Sequence, residues 1–136
     1  MTKKKLKALK RAYEECEDDT DVFFPRKSDI KHWFDFINEM MFNGLVERPS
    51  YIEIKRMRDL GQAEGDLDTG VTYMRLRDRF RAVSQRNLIA SASQMFISTV
   101  AHEMVHLWQF QTDYTMNHGR GFQEWKTKFK KIGIII

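Results

Sequence analysis

The stretch "TVAHEMVHLWQ", residues 99–109, places two histidines four apart with a glutamate directly after the first. Around it, Ile97, Ala101, Met104 and Trp108 recur at three- and four-residue spacing, with Val100 and Val105 widening the ridge. That period is helical, so from about Leu88 the chain is expected to form an amphipathic helix with one core-facing side. Residues four apart lie about 40° apart around such a helix. His102 and His106 therefore point the same way from successive turns, at a separation that lets both imidazoles reach one zinc ion at about 2.0–2.1 Å. Glu103 lies about 100° from His102, on the side towards His106. It borders the metal position without competing to ligate it. From there a carboxylate can take a proton from a water whose pKa zinc lowers towards ~7.

Zinc in a catalytic site needs a third protein ligand, with the fourth position left for water. The compact spacing H-E-x-x-H-x-x-G-x-x-H would require a histidine at position 112, and Thr112 stands there. Two candidates remain, His118 in "NHGRGF" and Glu124 on the helix that follows. His118 is the preferred one, an imidazole neighboured by glycines that permit close backbone approach. His32, beside Trp33 on an earlier helix, has no ligand partner at useful spacing and reads as structural.

The rest of the chain reads as one α+β unit: helices packed around a small antiparallel sheet, with the HExxH helix carrying the site. Residues 3–16 have Leu6, Leu9 and Tyr13 at helical spacing. An acidic run then leads to "FFPRKSD", where Pro25 blocks helix continuation, so residues 1–28 form a basic helix and an acidic linker. Residues 29–136 form the main domain. Ser28 or Asp29 can cap a second helix through "IKHWFDFINEMMF", whose stripe is Ile30, Trp33, Phe34, Ile37, Met40 and Met41, with Gly44 as a stop. The period then changes to two. "YIEIKRM" sets Tyr51, Glu53 and Lys55 against Ile52, Ile54 and Arg56; "GVTYMRLRDRF" sets Met74 and Leu76 against Tyr73, Arg75 and Arg77. The intervening "GQAEGDLDTG" fits a short strand flanked by turns. Phe122, Trp125, Phe129 and Ile132 give the last helix its buried side.

At 136 residues, 42% hydrophobic and 31% charged, the chain is long enough for a core of its own without disulfide staples. Its single cysteine, Cys16, lies outside any metal-ligand spacing and reads as a bystander thiol in a reducing compartment. No apolar run approaches the roughly 20 residues needed to span a bilayer, and the N-terminus lacks the apolar stretch of a signal peptide. The expectation is an intracellular, cytoplasmic protein without a membrane partner. The net charge of +4 is unevenly spread: six positive charges in the first eleven residues, six acids in residues 14–21, and a basic "KTKFKK" near the end. Such a distribution permits contact with a phosphate backbone and equally suits a solvated helix and its linker.

"HEMVH…HGRGF" resembles the SprT-like zinc metallopeptidase domain, the catalytic module of the Spartan proteases. His118, Gly119 and Phe122 match the family's H-G-x-x-F element, "WFDFINEMMFNGLV" looks like its opening helix, and the two alternating segments are similar to its sheet. The resemblance covers roughly residues 30–132. It implies one zinc ion per chain held by His102, His106 and His118, with Glu103 as general base, and hydrolysis of peptide bonds in a protein substrate. The Spartan branch digests proteins crosslinked to DNA, which would give the positive charge a purpose. Relatives often carry a cysteine zinc ribbon or a separate DNA-binding zinc domain, and one cysteine can supply neither. Any DNA contact would then fall to Lys3, Lys4 and Lys5, to Arg75 and Arg77, or to Lys128 and Lys130. The competing reading from another class is a zinc-stabilised nucleic-acid-binding or adaptor module with little turnover. Glu103 argues against it, because a structural zinc site gains nothing from a carboxylate beside an open position.

Overall fold

The computed structural model describes residues 2–17 and 21–136; residues 18–20 of the acidic run lie outside the described residues. The chain opens with helix α1 (Lys3–Glu14), a two-residue strand β1 (Val22–Phe23) and helix α2 (Lys27–Phe42). Strands β2 (Tyr51–Lys55), β3 (Gly61–Gly65) and β4 (Thr72–Arg77) follow, then three short strands, β5 (Phe80–Arg81), β6 (Val83–Gln85) and β7 (Leu88–Ala90). Helices α3 (Ala92–Asp113) and α4 (Arg120–Lys130) complete it. No helix among the described residues is long and apolar enough to cross a membrane.

Helix α3 runs through the middle of the core. Ile97, Val100, Ala101, Met104 and Val105 are fully buried, in one cluster with Leu9 of α1, Phe34 and Ile37 of α2, Met74 and Leu76 of β4, and Phe122 and Phe129 of α4. It starts at Ala92 rather than near Leu88. Ser91 accepts from Gln94 N at 3.1 Å while Gln94 Oε1 accepts from Ser91 N at 3.0 Å, a reciprocal capping box that ends the helix there. The residues before it, Leu88–Ala90, pair antiparallel with Val83–Gln85 across Arg86 and Asn87 instead. The same cap ties down the first helix. Ser91 Oγ donates to Cys16 O and Gln94 Nε2 to Tyr13 O, so α1 is anchored to the start of α3 as well as packed into the common core.

Helix α2 begins at Lys27 with Arg26 as its N-cap, two residues before the expected Ser28 and three before Asp29. Asp29 sits in its first turn and accepts from Arg26 N at 2.8 Å, so the aspartate caps from inside the helix. Its end is a left-handed Asn43 followed by Gly44 at φ +74°, and the Asn38 side-chain amide then brackets the Val46 backbone, Nδ2 donating to Val46 O and Oδ1 accepting from Val46 N, both at 2.9 Å. The α+β architecture stands as expected, but its three-stranded sheet is mixed. The order is β2-β4-β3, with β3 antiparallel to β4 and β2 parallel to β4. The strands alternate in direction along the chain, and β4 inserts between the other two. Two strands of like direction therefore become neighbours, which period-two alternation alone does not reveal.

One face of this sheet carries Met74, Leu76, Ile52, Ile54 and Ala63 towards the helices. The other presents Tyr51 stacked on Tyr73, and Arg75 between Glu53 and Glu64. Strand β3 lies against α3 with only Gly61, Ala63 and Gly65 on the near side. A Cβ at Gly61 would come within 2.8 Å of Thr99 and 3.0 Å of Glu103, and one at Gly65 would overlap the ring of Phe110. The absence of side chains is what lets the strand approach the helix. Gly65→Ala should therefore lower stability by about 1–3 kcal/mol in urea denaturation, and adding Phe110→Leu should restore part of it. A Gly65→Ala protein as stable as wild type would contradict this packing.

Candidate metal centre

His102 and His106 project from successive turns of α3, and His118 joins them from the loop before α4. Their Nε2 atoms form a nearly equilateral triangle: 3.3 Å between His102 and His106, 3.2 Å from His118 to each. A metal bound tetrahedrally at 2.0–2.1 Å separates its nitrogen ligands by about 3.3 Å. The triangle fits that requirement, and the three histidines are the group of ligating side chains that converges among the described residues. Glu124, the alternative third ligand, is not brought in; it lies on the exposed side of α4 near Arg120. His32 stands against Trp33 on α2, apart from the cluster.

The lone pairs are aimed by neighbours. Gln109 Nε2 donates to Asn117 O at 3.1 Å, and Gln109 Oε1 accepts from Asn117 N at 3.2 Å, which settles the orientation of the amide. The same Oε1 lies 2.9 Å from His106 Nδ1, so the proton of His106 sits on Nδ1 and its Nε2 is a free acceptor. Gln109 thus orients one ligand and, through Asn117, fixes the loop that carries another. Asn117 Oδ1 accepts from Gly119 N, and Gln123 Nε2 donates to His118 O, closing the loop onto α4. Phe122 is the floor. Its ring, 2% exposed, lies 4.7–5.0 Å from the ring centres of all three histidines. That packing is why a phenylalanine follows His118 by four residues.

Burial lowers the His102 imidazole to about 4, helped by His106, His118 and Lys126, and burial also lowers His106 against the opposing pull of Gln109. Burial thus favours the neutral imidazole at both residues, and with the His106 proton on Nδ1 its Nε2 is left available to a metal. Glu103, 4% exposed, faces the other side of the same cleft, where burial and then the charge of Asp59 push its carboxyl up to about 8. The cleft has a volume of about 670 Å³, with the histidines and Glu103 along one side and residues 59–64 along the other.

Those facing residues expose an edge of the sheet. Arg77 N donates to Leu60 O and Asp66 N to Val71 O. By antiparallel alternation the even-numbered residues of β3 bond to β4, and the N–H and C=O groups of Gly61, Ala63 and Gly65 point to the free edge. Gln109 sits three residues after His106 on one helix face, a spacing legible in sequence once His106 is singled out. The G-x-A-x-G run is likewise visible there, but its meaning depends on which helix it meets. The basic residues expected to contact DNA are dispersed. Lys5 pairs with Glu39, Arg75 with Glu53 and Glu64, and Lys128 covers the Trp125 ring, while Lys3, Lys4 and Lys130 are exposed on separate helices.

Glu103 makes a sign-definite prediction for the metal-free protein. Its folded pKa is raised from 4.5 to about 8, so the folded chain keeps a proton that the unfolded chain releases. Stability from this group is present below pH 4.5 and lost as pH rises through 8. Glu103→Gln removes that loss, whereas the opposite dependence of the lowered histidines is common to both proteins. In chelator, the variant's melting temperature should gain several degrees on wild type between pH 5 and pH 8. A difference that stays constant across that range would contradict the buried carboxyl.

Comparison with known proteins adds the family. The chain matches no curated protein sequence at a significant level. The model of the SprT-like family matches residues 30–134, from the first turn of α2 to just beyond α4. That span holds the sheet, the cleft and all three histidines, and on it the chain belongs to the SprT-like family.

Proposed function

We propose that the protein is a zinc-dependent endopeptidase. The observation that carries this reading is the juxtaposition, across one cleft, of a three-histidine triangle, a buried carboxyl and an unpaired strand edge. His102, His106 and His118 would hold the ion, with Gln109 keeping His106 in the ligating tautomer. Zinc bound there supplies Lewis acidity for the scissile carbonyl and lowers the pKa of the attacking water.

The remaining work falls to this chain's own groups. The outward N–H and C=O groups of Gly61, Ala63 and Gly65 can pair with an extended polypeptide, adding it to the sheet as a further strand. Backbone pairing of this kind aligns a peptide bond along the cleft without demanding a particular side chain. Glu103 takes the proton of the attacking water and delivers it to the leaving amine. Its high pKa without a cation keeps the carboxyl protonated, and a dication nearby favours the ionised form that a base requires. Gly61 leaves room for that carboxyl, since a methyl group there would press on it.

The test separates base from ligand. Wild-type protein should cleave a fluorescently labelled unfolded protein, and chelator should stop it. Glu103→Gln should keep its zinc and its fold while losing about 10²–10⁴-fold in rate. Equal rates for variant and wild type would remove Glu103 from the mechanism. Zinc without turnover in either protein would favour the reading of a zinc-stabilised binding module.

A further inference from the structure

Away from the cleft, five arginines from three segments surround a second cavity of about 560 Å³: Arg56 and Arg58 after β2, Arg77 and Arg79 at the end of β4, and Arg81 on β5. The connection from β2 to β3 arches over the end of β4, held by Asp78 N donating to Lys55 O and Arg77 N donating to Leu60 O, both at 3.0 Å. That arch lays Arg56 and Arg58 against Arg77. Pairing of β5 with β1 brings in Arg81. Among the described residues Asp78 is the one carboxylate lining the cavity, and it lies 3.9 Å from Arg79. Arg56, Arg58, Arg77 and Arg81 form no ion pair among the described residues. Five positive charges against one negative leave an excess equal to the net charge of the whole chain.

Guanidinium groups held together without counterions repel one another, and a ligand bearing phosphates relieves that repulsion while satisfying their planar donor forks. One further feature selects the kind of phosphate ligand. Phe24, next to β1, is 64% exposed, and the Arg79 guanidinium lies 5.9 Å from its ring centre. An exposed phenyl ring beside a basic cavity offers a stacking face for an unpaired base, which neither free phosphate nor a closed duplex would use.

We propose that this arginine cavity and Phe24 bind a single strand of nucleic acid, the phosphates among the arginines and a base on the ring. Of the basic residues expected to contact DNA, this site includes only Arg77. Arg75 is occupied by Glu53 and Glu64, and Arg77 contributes only in company with arginines beyond the alternating strand. Asp59 and Leu60, which border the cleft, continue directly from Arg58, so the bound strand would lie next to the cleft wall without entering it. The inference stands independently of the peptidase reading, because binding is measured without turnover.

The experiment is fluorescence anisotropy of the purified full chain with a labelled oligothymidylate, titrated at several salt concentrations. Wild type should bind with affinity falling linearly on logarithmic axes as salt rises. The triple variant Arg56→Gln, Arg58→Gln, Arg79→Gln removes exposed side chains and should keep the fold. It should bind at least about tenfold more weakly, with the salt slope reduced by about 0.7 for each phosphate that is no longer neutralised. A control removing the same charge elsewhere, Lys3→Gln, Lys4→Gln, Lys130→Gln, should stay within about twofold, since distant exposed charges are screened. Phe24→Ser should cost about fivefold or more without changing the slope. Equal losses in the two triple variants would reduce the effect to net charge and overturn the site. Wild-type affinity in Phe24→Ser, or displacement of the strand by low concentrations of inorganic phosphate, would overturn the single-strand assignment in favour of a small-anion pocket.

Discussion

Three imidazole nitrogens held 3.2–3.3 Å apart and turned towards one another are an expensive arrangement to leave empty of positive charge. At His102 and His106 burial works against protons as the source of that charge, holding the first near 4 and lowering the second below its ordinary value. The surroundings nevertheless enforce the convergence: α3 places two rings one turn apart, Gln109 sets the tautomer of one and fastens the loop bearing the third, and Phe122 packs against all of them. A cation-binding role explains why so many neighbours maintain a geometry that the bare nitrogens oppose. The triangle meets the ligand spacing of the proposed zinc.

The sheet serves the same helix from the other side. Strand β3 could approach α3 only by giving up side chains at Gly61 and Gly65, and the approach brings its free edge to the cleft beside Glu103. The two cavities differ in chemistry. The cleft is lined by the three histidines and the carboxyl groups of Asp59, Glu64 and Glu103, whereas the arginines collect beyond the arch of residues 56–60. Polypeptide and polyanion would thus meet different faces of one short connection.

Sequence alone carried the core of the site. The spacing of His102 and His106 in an apolar-flanked helix determines their common direction, and the chemistry of Glu103 follows from its place between them. The choice of His118 over Glu124 rested on chemistry and resemblance, and the structure brings His118 to the other two while leaving Glu124 outside. Less legible was anything set by long-range placement. Alternation in residues 51–77 reveals strands and their buried faces, but the insertion of β4 beside a parallel β2 depends on tertiary packing. Leu88–Ala90 resembles the start of a helix because apolar residues continue a helical period by chance; Ser91 and Gln94, a capping box visible in sequence, mark the true start. The arginine cavity is legible only in part. Arg77, Arg79 and Arg81 alternate along one stretch of sequence, but only the fold brings Arg56 and Arg58 beside them, while the conspicuous lysine runs at the two ends remain dispersed.

The central claim is that the three histidines form one zinc site, and zinc content per chain tests it most directly. Freshly purified wild type and His118→Ala would be measured side by side, each after equilibration with zinc and removal of the excess. About one zinc per wild-type chain and markedly less in the variant are expected, because two nitrogens on one helix leave the coordination incomplete. Wild type without zinc under these conditions, or a variant that retains as much as wild type, would contradict the three-histidine site.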